Sequence, residues 1–289
     1  MRGQLRNVLL VAVLVAVAGG GTALVPNSAS AYHSYNVRLL DGTADSLKRR
    51  QFRLGLFKLS YGVFDFFQVS TYTAPWLLGV VLEDLAPNIE FKSTFFRRGR
   101  LSLSGSLGFI TGTVEQVVGL DTSRFRYYVV PVSLASSVRV NRMVSTHLGG
   151  TYTAVQGDAN TGLGSSEVGG SAVVDLLQLW GMVEWRISKV VAFTFTVRWT
   201  PWVSDTIVRG KFEGELGNPE IGVQIELEFV DLTNAFAAIP GFVFSWERAN
   251  IRLGVGYGDL FTGFVGFPLV VPRDFLKGVA PEFDVFVRF

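Results

Sequence analysis

Pro281-Glu282-Phe283-Asp284-Val285-Phe286-Val287-Arg288-Phe289 closes the chain, and its two sides differ sharply. Drawn out as a strand, it puts Phe283, Val285, Val287 and Phe289 on one face and Glu282, Asp284, Phe286 and Arg288 on the other. One face is wholly apolar and the other largely charged. In water such a strand is an edge that recruits other chains, so its apolar face calls for a non-aqueous neighbour.

The rest of the chain points the same way. It has 289 residues, no cysteine, 48% hydrophobic residues and a mean hydropathy of +0.34, high for a domain that lives in water. The absence of cysteine excludes disulfides, thiolate metal sites and cysteine nucleophiles. The net charge of +2 comes from Arg2 and Arg6, and the remainder is balanced, so no electrostatic case exists for a nucleic-acid partner. Residues 1–31 have the three parts of an export signal: Arg2 and Arg6, the apolar run 8–18, and the small residues Ala29-Ser30-Ala31, with cleavage expected after Ala31. No later stretch reaches the roughly 20 apolar residues of a spanning helix; the best, 76–82, is interrupted by Glu83 and Asp84. An exported, apolar chain without such a helix leaves the closed barrel as its membrane architecture.

The pattern along the chain predicts that barrel. Residues 32–50, ending in Lys48-Arg49-Arg50, read as a periplasmic leader or a short first strand at 35–39, and residues 51–289 read as the barrel. Extended segments recur in pairs about short turns: 51–61 and 66–73, 88–96 and 101–110, 125–140 and 143–155, 171–187 and 190–202, 241–246 and 251–257. The stretches 74–87, 111–124, 156–170 and 258–280 read as longer loops, giving the short-turn and long-loop alternation of transmembrane barrels. Alternation is strongest at 190–202, where Val191, Phe193, Phe195, Val197 and Trp199 oppose Ala192, Thr194, Thr196, Arg198 and Thr200. Tyr61, Tyr72, Trp76, Tyr127, Tyr152, Trp185, Trp199, Trp202, Trp246 and Tyr257 are expected as interfacial girdles. Five short turns on the side of both termini imply twelve strands. A sixth at Gly217-Asn218-Pro219-Glu220 implies about fourteen, the preferred count, with 207–230 as a hairpin pairing Lys211 with Glu226 and Arg209 with Glu228.

The 281–289 ending resembles the C-terminal signature of bacterial outer-membrane β-barrels, whose terminal aromatic strand is read by the assembly machinery and closes the barrel. The resemblance implies an assembly signal at Phe283, Val285, Val287 and Phe289, with outer-membrane lipids and the barrel-assembly machinery as partners. Tyr61-Gly62-Val63 with Asp65, followed by Pro87-Asn88 and Lys92, is similar to proteobacterial barrels grouped with hydrophobic-compound uptake proteins. A plug of the kind such transporters carry is not recognisable in the sequence.

The expected inward charges include Glu90, Lys92, Glu184, Arg186, Arg198, Arg209, Lys211, Glu213, Glu226, Glu228, Arg252, Asp284 and Arg288. Charges of both signs suit a hydrated pore or a closed interior crosslinked by ion pairs. Ser145 and His147 share a strand face, but Ser-x-His reverses the His-x-Ser order of barrel lipid hydrolases, and no orienting third group is assignable; no catalytic residue is expected. Gly162-Leu163-Gly164 lacks the Lys-Ser/Thr of a phosphate loop. Asp158, Asn160 and Glu167 are too few for a metal site, and Arg97-Arg98-Gly99-Arg100 suits a turn against lipid headgroups. No cofactor is implied. The expected function is a passive channel for small solutes. The alternatives are a structural barrel whose outer loops bind a partner, and a lipid-modifying enzyme.

Overall fold

The computed structural model describes residues 40, 43–73, 75–76, 87–118, 121–163, 166–204, 207–213, 221–226, 234–246, 249–259 and 277–288. The strands are β1 (Phe52–Gly55), β2 (Lys58–Phe64), β3 (Phe67–Tyr72), β4 (Asn88–Arg98), β5 (Leu101–Val118), β6 (Asp121–Arg139) and β7 (Val144–Leu163). They continue as β8 (Ser166–Arg186), β9 (Val191–Val203), β10 (Ile207–Glu213), β11 (Ile221–Glu226), β12 (Ala235–Ser245), β13 (Ala249–Asp259) and β14 (Lys277–Arg288). Neighbours are antiparallel from β1 to β9; β9 then pairs with β12, β12 with β13, β13 with β14, and β14 with β1. This is a closed ring of twelve strands, with β10 and β11 outside it.

The preferred count of fourteen therefore gives way to the alternative of twelve. β10 pairs with the upper half of β8, from Ile207↔Val173 to Glu213↔Glu167, where β9 stops at Leu176↔Val203. It continues the line of β9 beyond the ring, at the end of β8 remote from the 187–190 turn. The β10–β11 pair thus stands at the opposite end from the five short turns, so parity does not count it; Gly217–Glu220 itself lies outside the described residues. The expected pairing is corrected too: Lys211 faces Gly222, Arg209 faces Gln224, and Glu226 faces Ile207. Glu228 and the proposed strand 35–39 lie outside the described residues.

Two other segments differ from expectation. Residues 51–61 are two strands, because the chain reverses at Leu56–Phe57 and pairs Arg53 with Ser60. Residues 111–118 with 121–124, and 156–163 with 166–170, are ladder rather than loop: β5 and β6 stay paired to Val118↔Asp121, and β7 and β8 to Leu163↔Ser166. Backbone pairing does not require an apolar face. Past the bilayer both faces meet water, so alternation fades while the ladder continues.

The alternation itself is as expected where strands cross the apolar belt. Phe195 is 40% exposed while Thr194 is fully buried. Leu134, Leu148, Phe242 and Leu253 point outward, against an interior of Ser, Thr and charged groups, the reverse of a water-soluble protein. In β14, Val285 is exposed and Phe286 wholly buried. The Arg53 guanidinium lies 4.1 Å from the Phe286 ring centroid, sealing the β1–β14 seam from inside. Trp185, Trp199, Trp202 and Trp246 are exposed, and Tyr152 stacks on Trp202 at 6.4 Å. Two expected girdle residues face the other way: Tyr72 bonds Glu90 in the lumen, and Tyr127 shares the inward parity of buried Val129.

Candidate functional site

The lumen holds a length of the chain itself. Residues 43–50 have no regular structure, so their peptide groups need partners from the wall, and the wall supplies them. Ala44 N donates to Ser137 Oγ (2.7 Å), Ser46 N to Thr94 Oγ1 (2.9 Å), Leu47 N to Gln68 Oε1 (2.9 Å) and Arg49 N to Asp65 Oδ1 (2.9 Å). Lys92 Nζ donates to Thr43 O (2.6 Å), and Thr94 Oγ1 to Ala44 O (2.8 Å). Asp45 pairs with Arg97 at 3.1 Å and accepts from Ser102 Oγ at 3.1 Å. Thr43, Ala44 and Leu47 are buried, and Leu40 packs with Met182 and Val243. A left-handed residue, Arg50 (φ 65°), then turns the chain out into β1. Gly62 faces Lys48 so closely that any Cβ there would clash with the Lys48 carbonyl. In place of the expected periplasmic leader or short first strand, residues 43–47 are buried or half-buried against the wall as an interior plug, and Lys48, Arg49 and Arg50 are exposed.

Beside the plug lies a second buried set. Ser137 Oγ contacts His147 Nδ1 at 2.7 Å, and His147 Nε2 lies 3.7 Å from Glu184 Oε2, longer than a hydrogen bond. Arg186 donates to Glu184 Oε1 (3.1 Å) and to Ser145 Oγ (2.6 Å). The residue facing His147 is thus Ser137 rather than Ser145, which belongs to Arg186. Ser137, His147 and Glu184 are each at most 2% exposed, and the Ser137 hydroxyl already accepts from Ala44. A nucleophile needs a face open to substrate; this hydroxyl is spent on holding the plug.

Above the plug the lumen opens into a cavity of about 300 Å³. Its charged walls are Arg53, Lys58, Glu90, Lys92, Arg198, Arg252 and Asp284, and its apolar surface comes from Leu40, Tyr72, Trp180 and Met182. Lys58 pairs with Glu90 at 2.7 Å, and the Tyr72 hydroxyl also bonds that carboxylate. Arg53 pairs with Asp284 at 3.0 Å. Arg198 and Arg252 both reach Glu282 Oε1, each at 3.5 Å.

The structure thus distributes the expected inward charges over four places. Arg198, Arg252 and Asp284 meet in the cavity with Glu90 and Lys92. Glu184 and Arg186 lie beside the plug, and Arg288 is buried near the seam, 5.8 Å from the Phe286 ring centroid. Arg209, Lys211, Glu213 and Glu226 are on β10 and β11, off the ring wall. Sequence reading missed Arg53, Lys58 and Trp180. Read as one strand, 51–61 sends Arg53 and Lys58 to opposite faces; only the hairpin turns both inward. Leu56–Phe57 lacks the Gly, Asn or Asp that marks a tight hairpin, so no strong signal was there to find.

No family model matches the sequence, and a search of curated proteins finds no relative. Among solved structures, the chain is similar to the CymD monoaromatic hydrocarbon channel, with a TM-score of 0.47 and 8% identity over 82% of this chain and 84% of that one. It is also similar to the Pseudomonas putida toluene transporter TodX, with a TM-score of 0.42 and 10% identity over 82% and 75%. A third, CdiB from Acinetobacter baumannii, gives a TM-score of 0.31 and 10% identity over 84% and 60%.

Proposed function

We propose that this barrel is a passive outer-membrane channel for small solutes, held closed by residues 43–50. The observation that carries the reading is a cavity with charged walls inside an apolar-faced ring, above a plug held by hydrogen bonds and the Asp45–Arg97 pair. Eight-stranded barrels are filled by their own side chains, and those of sixteen or more leave a wide channel. Twelve strands leave room for one small molecule at a time, and a non-covalent plug can shift to let it pass.

The export signal at 1–31, with its cut after Ala31, and the assembly role of Phe283, Val285, Val287 and Phe289 belong to the same proposal. Both sort the chain to the outer membrane. Deleting Phe289 should leave secretion intact and produce periplasmic degradation; normal heat-modifiable migration of that variant on gels would count against the signal.

The channel is tested by single-channel recording in planar bilayers with an ion-selectivity measurement. Wild type should give brief openings, and Gly62→Ala, which crowds the plug, longer ones. A second reading, a barrel whose outer surface binds a partner, is favoured by one observation: the far ends of β5 to β8, with β10–β11, extend beyond the level where β4 and β9 stop. Silence from both proteins, correctly folded, would select it.

A further inference from the structure

We infer that the cavity binds a small aromatic carboxylate, its carboxylate between Arg198 and Arg252 and its ring against Trp180. The inference rests on the reading of the cavity as a solute site and names what that site takes. It begins with charge. The cavity gathers five cations, Arg53, Lys58, Lys92, Arg198 and Arg252, against Glu90, Asp284 and the adjoining Glu282. Lys58 with Glu90, and Arg53 with Asp284, form close pairs.

Arg198 and Arg252 are placed differently. Both lean on one oxygen, Glu282 Oε1, each at 3.5 Å, whereas a charge-assisted N–H···O bond is about 2.7–2.9 Å. Arg252 Nη2 reaches Thr196 Oγ1 only at 3.4 Å. Arg252 Nε and Glu282 Oε2 are buried with no hydrogen-bond partner among the described residues. Two guanidinium forks offer ten N–H donors, and one carboxylate oxygen 3.5 Å from each leaves room for a second acceptor. A second carboxylate entering from the cavity would supply it. A cation would meet repulsion from both forks.

The apolar half of the ligand follows from the register. Trp180 sits directly opposite Arg198 across the β8–β9 pair, and both line the cavity. On its other side Trp180 faces Gly149, where any Cβ would run into the indole. That glycine lets the ring lie down on β7 instead of standing into the lumen, leaving a flat aromatic wall beside the arginine pair. Rings stack on such a wall in offset or edge-to-face geometry. The volume, about 300 Å³, is at the lower end for small-molecule pockets and suits a single-ring acid rather than a long acyl chain.

The test uses the full-length mature barrel refolded in detergent, with benzoate, its neutral isostere benzamide, and acetate titrated calorimetrically. Benzoate should bind roughly ten- to a hundredfold more tightly than benzamide, the range expected for hydrogen bonds to a charged group. It should also outbind acetate, which lacks the ring. Arg198→Gln should erase the benzoate–benzamide difference, and Trp180→Leu should bring benzoate down toward acetate. If Arg198→Gln fails to give heat-modifiable folded protein, Arg252→Gln makes the same comparison. Equal binding of benzoate and benzamide to wild type overturns the inference, as does a difference that survives the arginine changes. The channel is judged separately. Conductance without carboxylate discrimination sinks the site and spares the channel; discrimination without conductance keeps the site and sinks the channel.

Discussion

The two levels of the lumen are built from the same residue types and behave as opposites. Around the plug, charged and hydroxyl groups are short-bonded and shut away: Arg186 holds Glu184 and Ser145, and Ser137 joins His147 to the plug backbone. One level up, Arg198 and Arg252 share a loosely held carboxylate on the wall of a cavity. Buried ion pairs add little net stability, yet losing one partner is costly because the other stays buried and charged. A pair on a cavity wall, with side chains 16–30% exposed, bears less of that cost. The lower level therefore has the character of structure, and the upper level that of a site.

The largest effect is expected from breaking the lower level. Glu184→Ala leaves Arg186 charged and buried, at 5% side-chain exposure, without its carboxylate. It should cost about 3–5 kcal/mol in urea unfolding from lipid vesicles; a loss like that of a surface substitution would show the level to be hydrated. Next comes the frame that places both levels inside. Phe195→Arg puts a charge on the lipid face and should cost about 2–4 kcal/mol, while Thr196→Arg, one residue on and pointing into the lumen, should cost far less; equal losses would invert the wall. Gly62→Ala forces the Lys48 carbonyl away from the wall. It should cost about 1–3 kcal/mol as overpacking and expose the 43–50 segment to added protease, and a protected segment would mean that the plug is held elsewhere. The smallest stability effect belongs to the upper level. Glu282→Gln should change unfolding by no more than about 1 kcal/mol, yet shift the reversal potential toward anions. A stability loss matching that of Glu184→Ala would erase the distinction between the two levels.

Several motifs noticed in the sequence acquire a reason only against the plug. In the stretch that resembles hydrophobic-compound uptake barrels, Gly62 makes room for Lys48, Asp65 accepts from Arg49 N, and Lys92 donates to Thr43 O. Asn88 stitches β3 to β4, accepting from Tyr72 N and donating to Tyr72 O at 3.0 Å. Gly62, Asp65 and Lys92 stood out in the sequence, whereas Gln68, Ser137 and the plug itself did not. A wall strand announces itself by alternation, but a segment without regular structure, satisfied by other strands' side chains, has no period to read. Trp180 was equally silent, since nothing in its neighbourhood says that Gly149 across the ladder has cleared a place for it.

What the sequence determined alone is what a period of two encodes. It set which face of a regular strand such as β9 meets lipid, that Thr194, Thr196, Arg198, Arg252 and Asp284 turn inward, and that the chain closes on itself rather than crossing as helices. These follow from the local chain, because neighbouring side chains point to opposite faces whatever their partners. The tertiary structure decided the rest: twelve strands rather than fourteen, β10 and β11 beyond the ring, the plug, and which charges meet. Arg53 and Asp284 are 231 residues apart in sequence and 3.0 Å apart in the seam. Such pairings depend on where the ring closes and on the register there. A ladder accepts any side chain that keeps its face, so the choice among registers is made by the whole ring at once and is written in no single strand.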